Sequence, residues 1–191
     1  MLKFASLAGS FAAVVLLAAC GTSTGKAAPK AEPYNQADAD YLGPMNQLHG
    51  QLTSYSLQAA ARAASPEVKA LAATLSAHGG GMFDQNVVWM KAAGDQPGLT
   101  MKEDHGDSNG AIPGFIGSQD DTKLGQAKGA AYDRTFVTLM IANIQGDITM
   151  SRSEVAAGRN DAVKAFAQAE LQQHTADVQR MQTLLAQLPT R

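Results

Sequence analysis

The chain has 191 residues, with 15 Lys and Arg against 17 Asp and Glu, four His and one Cys. That length suits one domain of ordinary size or two very small ones, the near-neutral balance excludes a basic nucleic-acid-binding surface, and a single Cys excludes a disulfide framework or a thiolate-rich zinc site. Apolar residues make up 45% and aromatics only 6%, which with abundant Ala suits helices packed through small side chains rather than a β-sandwich.

Residues 1–19 read as a lipoprotein signal peptide. Met1-Leu2-Lys3 is a short positive start and Phe4 to Leu16 an apolar run too short for a bilayer span. Leu17-Ala18-Ala19-Cys20-Gly21 then resembles a lipobox. In such signals the Cys thiol takes a diacylglycerol and cleavage falls just before it, so acylated Cys20, carrying chains such as palmitate, becomes the anchored N-terminus. Residues 20–36 are mostly Gly, Ser, Thr, Lys, Ala and Pro, which cannot repay the entropy of ordering. They read as a flexible tether, and the expected location is extracytoplasmic, anchored to the cell membrane by the N-terminal lipid.

Residues 37–190 read as an all-α domain of four long helices. Tyr41, Met45, Leu48, Leu52, Tyr55 and Ala59 share one helical face, with Gly43-Pro44 expected to kink or shorten the start. This helix should end near Ala64. Ser65, Pro66 and Glu67 open the second helix as cap, preset first residue and acidic first turn. Its stripe is Val68, Leu71, Leu75, His78, Met82 and Trp89, and Gly94 stops it. Gly79-Gly80-Gly81 invites a bend or break. Residues 95–129, rich in Gly, Asp and Ser with Pro97 and Pro113, read as a long connection. The third helix spans about Ala130 to Ala157, with Val137, Ile141, Ile144 and Ile148 on one stripe and Phe136, Met140, Asn143, Asp147 and Met150 beside it. Asn160 caps the fourth helix, whose stripe Ala167, Leu171, His174, Val178, Met181, Leu185 and Leu188 runs to Pro189.

A shift of 95 residues superposes the halves without a gap: Asp38 on Asp133, Tyr41 on Phe136, Met45 on Met140, Ser56 on Ser151, and Val68-Lys69-Ala70-Leu71-Ala72 on Val163-Lys164-Ala165-Phe166-Ala167. Each half is a helical hairpin, residues 37–94 and 130–189, which cannot bury its apolar face alone. Two facing hairpins make a four-helix bundle, with the connection crossing between them. Leu71 and Phe166 are expected in its core.

The Met-plus-polar segments, the Pro66-Glu67-Val68-Lys69-Ala70-Leu71-Ala72 start, Trp89, and Gly129-Ala130-Ala131-Tyr132-Asp133-Arg134 resemble the domain of unknown function 305 family over about residues 36–188. The resemblance implies a ferritin-like helical fold, export, and a link to copper. The family's first-helix pattern, a Met followed by His-His and a second Met, survives as Met45 and His49 in one half and Met140 and Met150 in the other. Leu48, Tyr55, Asn143 and Ile144 replace the remaining members. Its second-helix Gln, Glu, Met pattern is Gly79, Met82 and Asn86 in the first half and His174, Asp177 and Met181 in the second.

Met45 with His49 and His78 with Met82 are spaced i, i+4, and His174 with Met181 i, i+7, so each pair lies along one face. Thioether and imidazole together suit copper, Cu(I) above all where thioethers dominate. With helix directions alternating, the start of the first helix is expected level with the late parts of the second and fourth and the start of the third. That gathers His49, Met45, Met140 and Met181 around one ion. His174, about 10 Å along the fourth helix, falls near Met150 and Asp177 as one end of the same site or a second one. The stretch around His105 reads as a solvated loop.

Enzymatic chemistry is not expected. A ferritin-like di-iron site needs Glu-x-x-His on two helices, and the chain has five Glu, at 32, 67, 103, 154 and 170, with no Glu-x-x-His. Glu67 and Glu154 suit capping and surface roles, and no Ser stands in a Gly-x-Ser-x-Gly turn. The expected function is binding of copper or a similar soft metal by a membrane-anchored protein. The alternative is a bundle whose metal site has decayed and which contacts an envelope protein partner.

Overall fold

The structure, a computed structural model, describes residues 34–101 and 112–190. The signal peptide, Cys20, most of the tether and the stretch holding His105 lie outside the described residues. Those described form five helices and no strand: α1 (Gln36–Arg62), α2 (Pro66–Gly94), α3 (Ser118–Gln126), α4 (Gly129–Ala157) and α5 (Asp161–Gln187).

The caps explain the boundaries. Asn35 opens α1 with a capping box to Asp38, Ser65 accepts from the N–H groups of Glu67 and Val68 to open α2, and Asn160 accepts from those of Ala162 and Val163 to open α5. α1 continues through Pro44, and α2 continues through the three glycines instead of breaking. Gly79 is needed there: a Cβ would come within 2.8 Å of Thr53 Oγ1 and 3.2 Å of Leu52, so its absence lets α2 approach α1 closely. The region read as an unstructured connection contains α3. Asp120 and Asp121 lie in its first turn and Lys123 in its last, matching the helix dipole, and Tyr55 donates to Asp121 at 2.9 Å.

Hydrogen bonds fix the directions. Asn35 donates to the Ala157 carbonyl, Tyr41 meets Ser151, Ser56 lies 3.9 Å from the Met140 sulfur, and Asp133 accepts from Ala64 and Ser65. α1 and α4 therefore run antiparallel, and the start of α1 is level with the ends of α2 and α4 and the start of α5. The expected alternation fails because the connection travels the length of the bundle before α4 begins. Gln51 clasps both the N–H and C=O of Ile116. At Gly146 a Cβ would overlap the Pro113 carbonyl, so a glycine on α4 admits the passing chain.

The repeat appears as reciprocal bracing. The Asp133 carboxylate accepts from the N–H groups of Ala64 and Ser65 in the first hairpin turn. The Asp38 carboxylate accepts from those of Arg159 and Asn160 in the second. Each pair is the other shifted by 95 residues. The same symmetry sets the inward face: Val68, Ala72 and Leu75 on α2 and Val163, Ala167 and Glu170 on α5 are buried. Leu71 and Phe166, expected in the core, are half-buried against its two clusters, because the inward stripe is centred to one side of them.

Candidate metal centre

The core is two apolar clusters. One holds Tyr41, Leu42, Met45, Leu48, Val163 and Ala167; the other holds Leu52, Leu75, Phe136, Met140, Ile144 and Met181 among others. Between them lies a polar layer of His49, Asn86, Asp147, Glu170 and His174, at most 4% exposed. In the repeat, His49 corresponds to Ile144, Asp147 to Leu52, Glu170 to Leu75, His174 to Gly79 and Asn86 to Met181. One half thus builds apolar core where the other concentrates charge. Burying charge is costly unless it is paired, and here the two imidazoles and two carboxylates pair with one another.

His49 Nε2 stands 3.1 Å from Asp147 Oδ2 and 3.2 Å from Glu170 Oε2. His174 Nδ1 stands 3.2 Å from Asp147 Oδ1. One ligand atom from each of His49, Asp147 and Glu170 lies within 4.8 Å of the others. The His49–Asp147 contact is a hydrogen bond, whereas Glu170 Oε2 and both His174 nitrogens, though close, have no hydrogen-bond partner. These contacts are ion pairs, and their spacing also matches that of a coordination shell. At tetrahedral angles, metal bonds of about 2.0–2.1 Å put neighbouring ligand atoms about 3.3 Å apart.

Burial alone would lower the pKa of His49, but its ion pairs with Asp147 and Glu170 outweigh that and hold it up at about 9. Burial would raise Asp147, but the charges and bonds of His174 and His49 draw it down to about 2. His174 is also raised, burial being overcome by Asp147 and Glu170. On the far side of His49, Nδ1 lies 3.4 Å from the Asn86 amide nitrogen, while Asn86 Oδ1 has no partner. Which amide atom faces the ring is set by the hydrogen-bond network. With the amide turned over, Oδ1 accepts from Nδ1–H and leaves Nε2 free to ligate, the usual support for a metal-bound histidine.

Several sequence expectations need correction. Met45 belongs to one apolar cluster and Met140 and Met181 to the other, so the three thioethers do not gather with His49 as one group. His174 is not about two turns from the His49 centre: it shares Asp147 with His49, because the start of α5, not its end, is level with the start of α1. Asp177 is engaged by Gln173 at 3.1 Å and Arg180 at 3.4 Å, and Met150 is half-buried against the cluster of Met45. Glu154, expected on the surface, is 1% exposed. Sequence reasoning did not select Asp147 or Glu170, although charged residues opposite Leu52 and Leu75 in the repeat were a visible signal. The donor set around His49 is nitrogen and oxygen. It fits Cu(II), Zn(II) and related divalent ions better than Cu(I), for which thioethers would be needed.

These features define the class, an all-helical bundle of two repeated hairpins with a histidine and carboxylate layer across its core. The chain belongs to the family of the domain of unknown function DUF305, whose sequence profile matches residues 38–185. Its fold is similar to that of a DUF305 protein of Streptomyces coelicolor described as secreted, with TM-score 0.69 and 21% identity over 80% of this chain and 92% of that one. A DUF305 fragment from Deinococcus radiodurans has TM-score 0.69 and 18% identity over 82% and 99% of the two chains. CopM in its Cu(II)-bound form has TM-score 0.63 and 18% identity over 78% and 96%. A search of curated protein sequences finds no match.

Proposed function

We propose that this is a lipid-anchored, extracytoplasmic binding protein that holds a divalent metal ion at the bundle centre through His49 Nε2, Asp147 and Glu170. The observation that supports it most is the convergence of those three buried donors at coordination spacing, where the equivalent positions of the repeat carry Ile144, Leu52 and Leu75. Two carboxylates and an imidazole favour Cu(II) over Zn(II) in open competition, following the Irving–Williams order, and a structural relative is described in a Cu(II)-bound form. Both apolar clusters seal the layer, which suits retention of an ion rather than turnover of an organic substrate. Anchoring rests on the lipobox around Cys20 and export on the signal preceding it. Among the described residues no helix is long and apolar enough to cross a membrane.

The test is a competition titration of the chelator-stripped protein with Cu(II), Zn(II) and Cu(I). The expected result is tight binding of the divalent ions, lost in Glu170→Gln and His49→Ala, with weak Cu(I) binding. Strong Cu(I) binding that depends on Met45, Met140 or Met181 would restore the thioether reading. No binding of any ion would favour the interaction-module reading.

A further inference from the structure

We propose that the centre holds two metal ions, bridged by the Asp147 carboxylate, with the second ion bound by His174 and His78. The inference rests on the metal reading of the His49 centre and extends it to a position that needs no residue of that centre except Asp147.

The two oxygens of Asp147 face different imidazoles. Oδ2 is 3.1 Å from His49 Nε2 and Oδ1 is 3.2 Å from His174 Nδ1. A carboxylate offering one oxygen toward each of two nitrogen donors is placed to bridge two cations. Ser151 donates to Oδ1 at 3.1 Å and lies 3.5 Å from the Tyr41 hydroxyl, which holds the carboxylate in that orientation.

Half of the unsatisfied atoms belong to this layer and its neighbour His78. Among the described residues, ten buried side-chain nitrogens and oxygens have no hydrogen-bond partner, and five of them belong to this region: Asn86 Oδ1, Glu170 Oε2, both nitrogens of His174, and His78 Nε2. Such orphans are few in native proteins, and a cluster of them calls for a bound ion or ordered water. A mononuclear centre at His49 accounts for Glu170 and, through the turned amide, for Asn86. His174 Nδ1 is ion-paired with Asp147, which leaves His174 Nε2 and His78 Nε2 without a partner.

Ring geometry supplies the second position. The His78 and His174 centroids are 5.6 Å apart with an interplanar angle of 76°. Two imidazoles ligating one ion tetrahedrally through nitrogen put their ring centres about 5.2 Å apart, given metal–nitrogen bonds of about 2.0–2.1 Å. The two rings thus stand at about the separation of imidazoles sharing one ion, and turning a nitrogen of each toward Asp147 Oδ1 would complete the site; as they stand, among the described residues only His49, Asp147 and Glu170, as a group of three, bring ligand atoms within 4.8 Å of one another. Neither imidazole is inherited from the repeat, since His78 corresponds to Gln173 and His174 to Gly79.

The experiment titrates the stripped full chain with Cu(II), counts copper by mass spectrometry after desalting, and integrates the electron paramagnetic resonance signal. The wild type should hold two copper ions per chain and give a signal well below its copper content, because carboxylate-bridged Cu(II) ions couple. His78→Leu should hold one, with a signal matching its copper content and unchanged circular dichroism. His78→Gln, the counterpart in the repeat, serves if the Leu variant misfolds. One copper per chain in the wild type, uncoupled and indifferent to His78, would overturn the pair while leaving the His49 centre standing. Two ions retained by both His78 variants would overturn the placement of the second ion, and no bound copper would overturn both readings.

Discussion

Replacing the polar layer by its own repeat counterparts separates a functional centre from a structural one. The variant His49→Ile, Asn86→Met, Asp147→Leu, Glu170→Leu copies Ile144, Met181, Leu52 and Leu75 into the equivalent places. Exchanging a buried ionic group for packed apolar residues is often neutral or stabilising by about 1–4 kcal/mol. For a domain of this size each kcal/mol moves Tm by about 2–4 °C. In chelator the fourfold variant should therefore melt at or above the wild type, by up to roughly 16 °C, followed by far-ultraviolet circular dichroism. His174 then goes neutral and keeps its ring contact with His78. Asp147→Leu alone should instead lose about 3–5 kcal/mol, because His49 and His174 are left buried without their shared counter-charge. Added Cu(II) should raise the wild type by about 2.7 kcal/mol at a free concentration of one hundred times Kd and leave the fourfold variant unmoved. A fourfold variant that loses more than about 2 kcal/mol in chelator would refute the reasoning and make the layer a structural network.

Three further outcomes follow from other parts of the molecule. Burial, with Asp38 as neighbour, raises Glu154 to about 8; the folded state thus holds this proton more tightly, and the contribution present below about 4.5 is lost as pH rises through 8, so Glu154→Gln should flatten that fall in denaturant titrations between pH 5 and 9. Asp133→Ala removes two charge-assisted bonds and Asp38→Ala their counterparts at the other end, so each should cost about 2–4 kcal/mol and the double variant should be near additive. Cys20→Ala should release the protein from the membrane fraction or leave it unprocessed, as membrane fractionation and mass spectrometry would show.

Much of the fold was legible because local and repeated signals agree. Ser65-Pro66-Glu67 and Asn160 carry their own capping chemistry, and the shift of 95 residues exposes two hairpins that need each other. α3 was hidden because it is nine residues long and buries only Leu124, so it leaves no apolar period. Continuity through Gly79 depends on a close approach to α1, a tertiary fact that outweighs the local cost of glycine. The centre was half legible: His49 and His174 stand out on core stripes, and the family pattern drew attention to the methionines. Helix direction decided the rest, since the long connection brings Asp147 and Glu170, not Met140 and Met181, to the level of His49.

Anomalous diffraction from crystals of the protein loaded with Zn(II), recorded on both sides of the zinc edge, tests the central claim most directly. The account predicts a peak between His49 Nε2, Asp147 and Glu170, at about 2.0–2.2 Å from each ligand atom. A peak among the sulfurs of Met45, Met140 and Met181, or none in the bundle while the crystals carry zinc elsewhere, would contradict it.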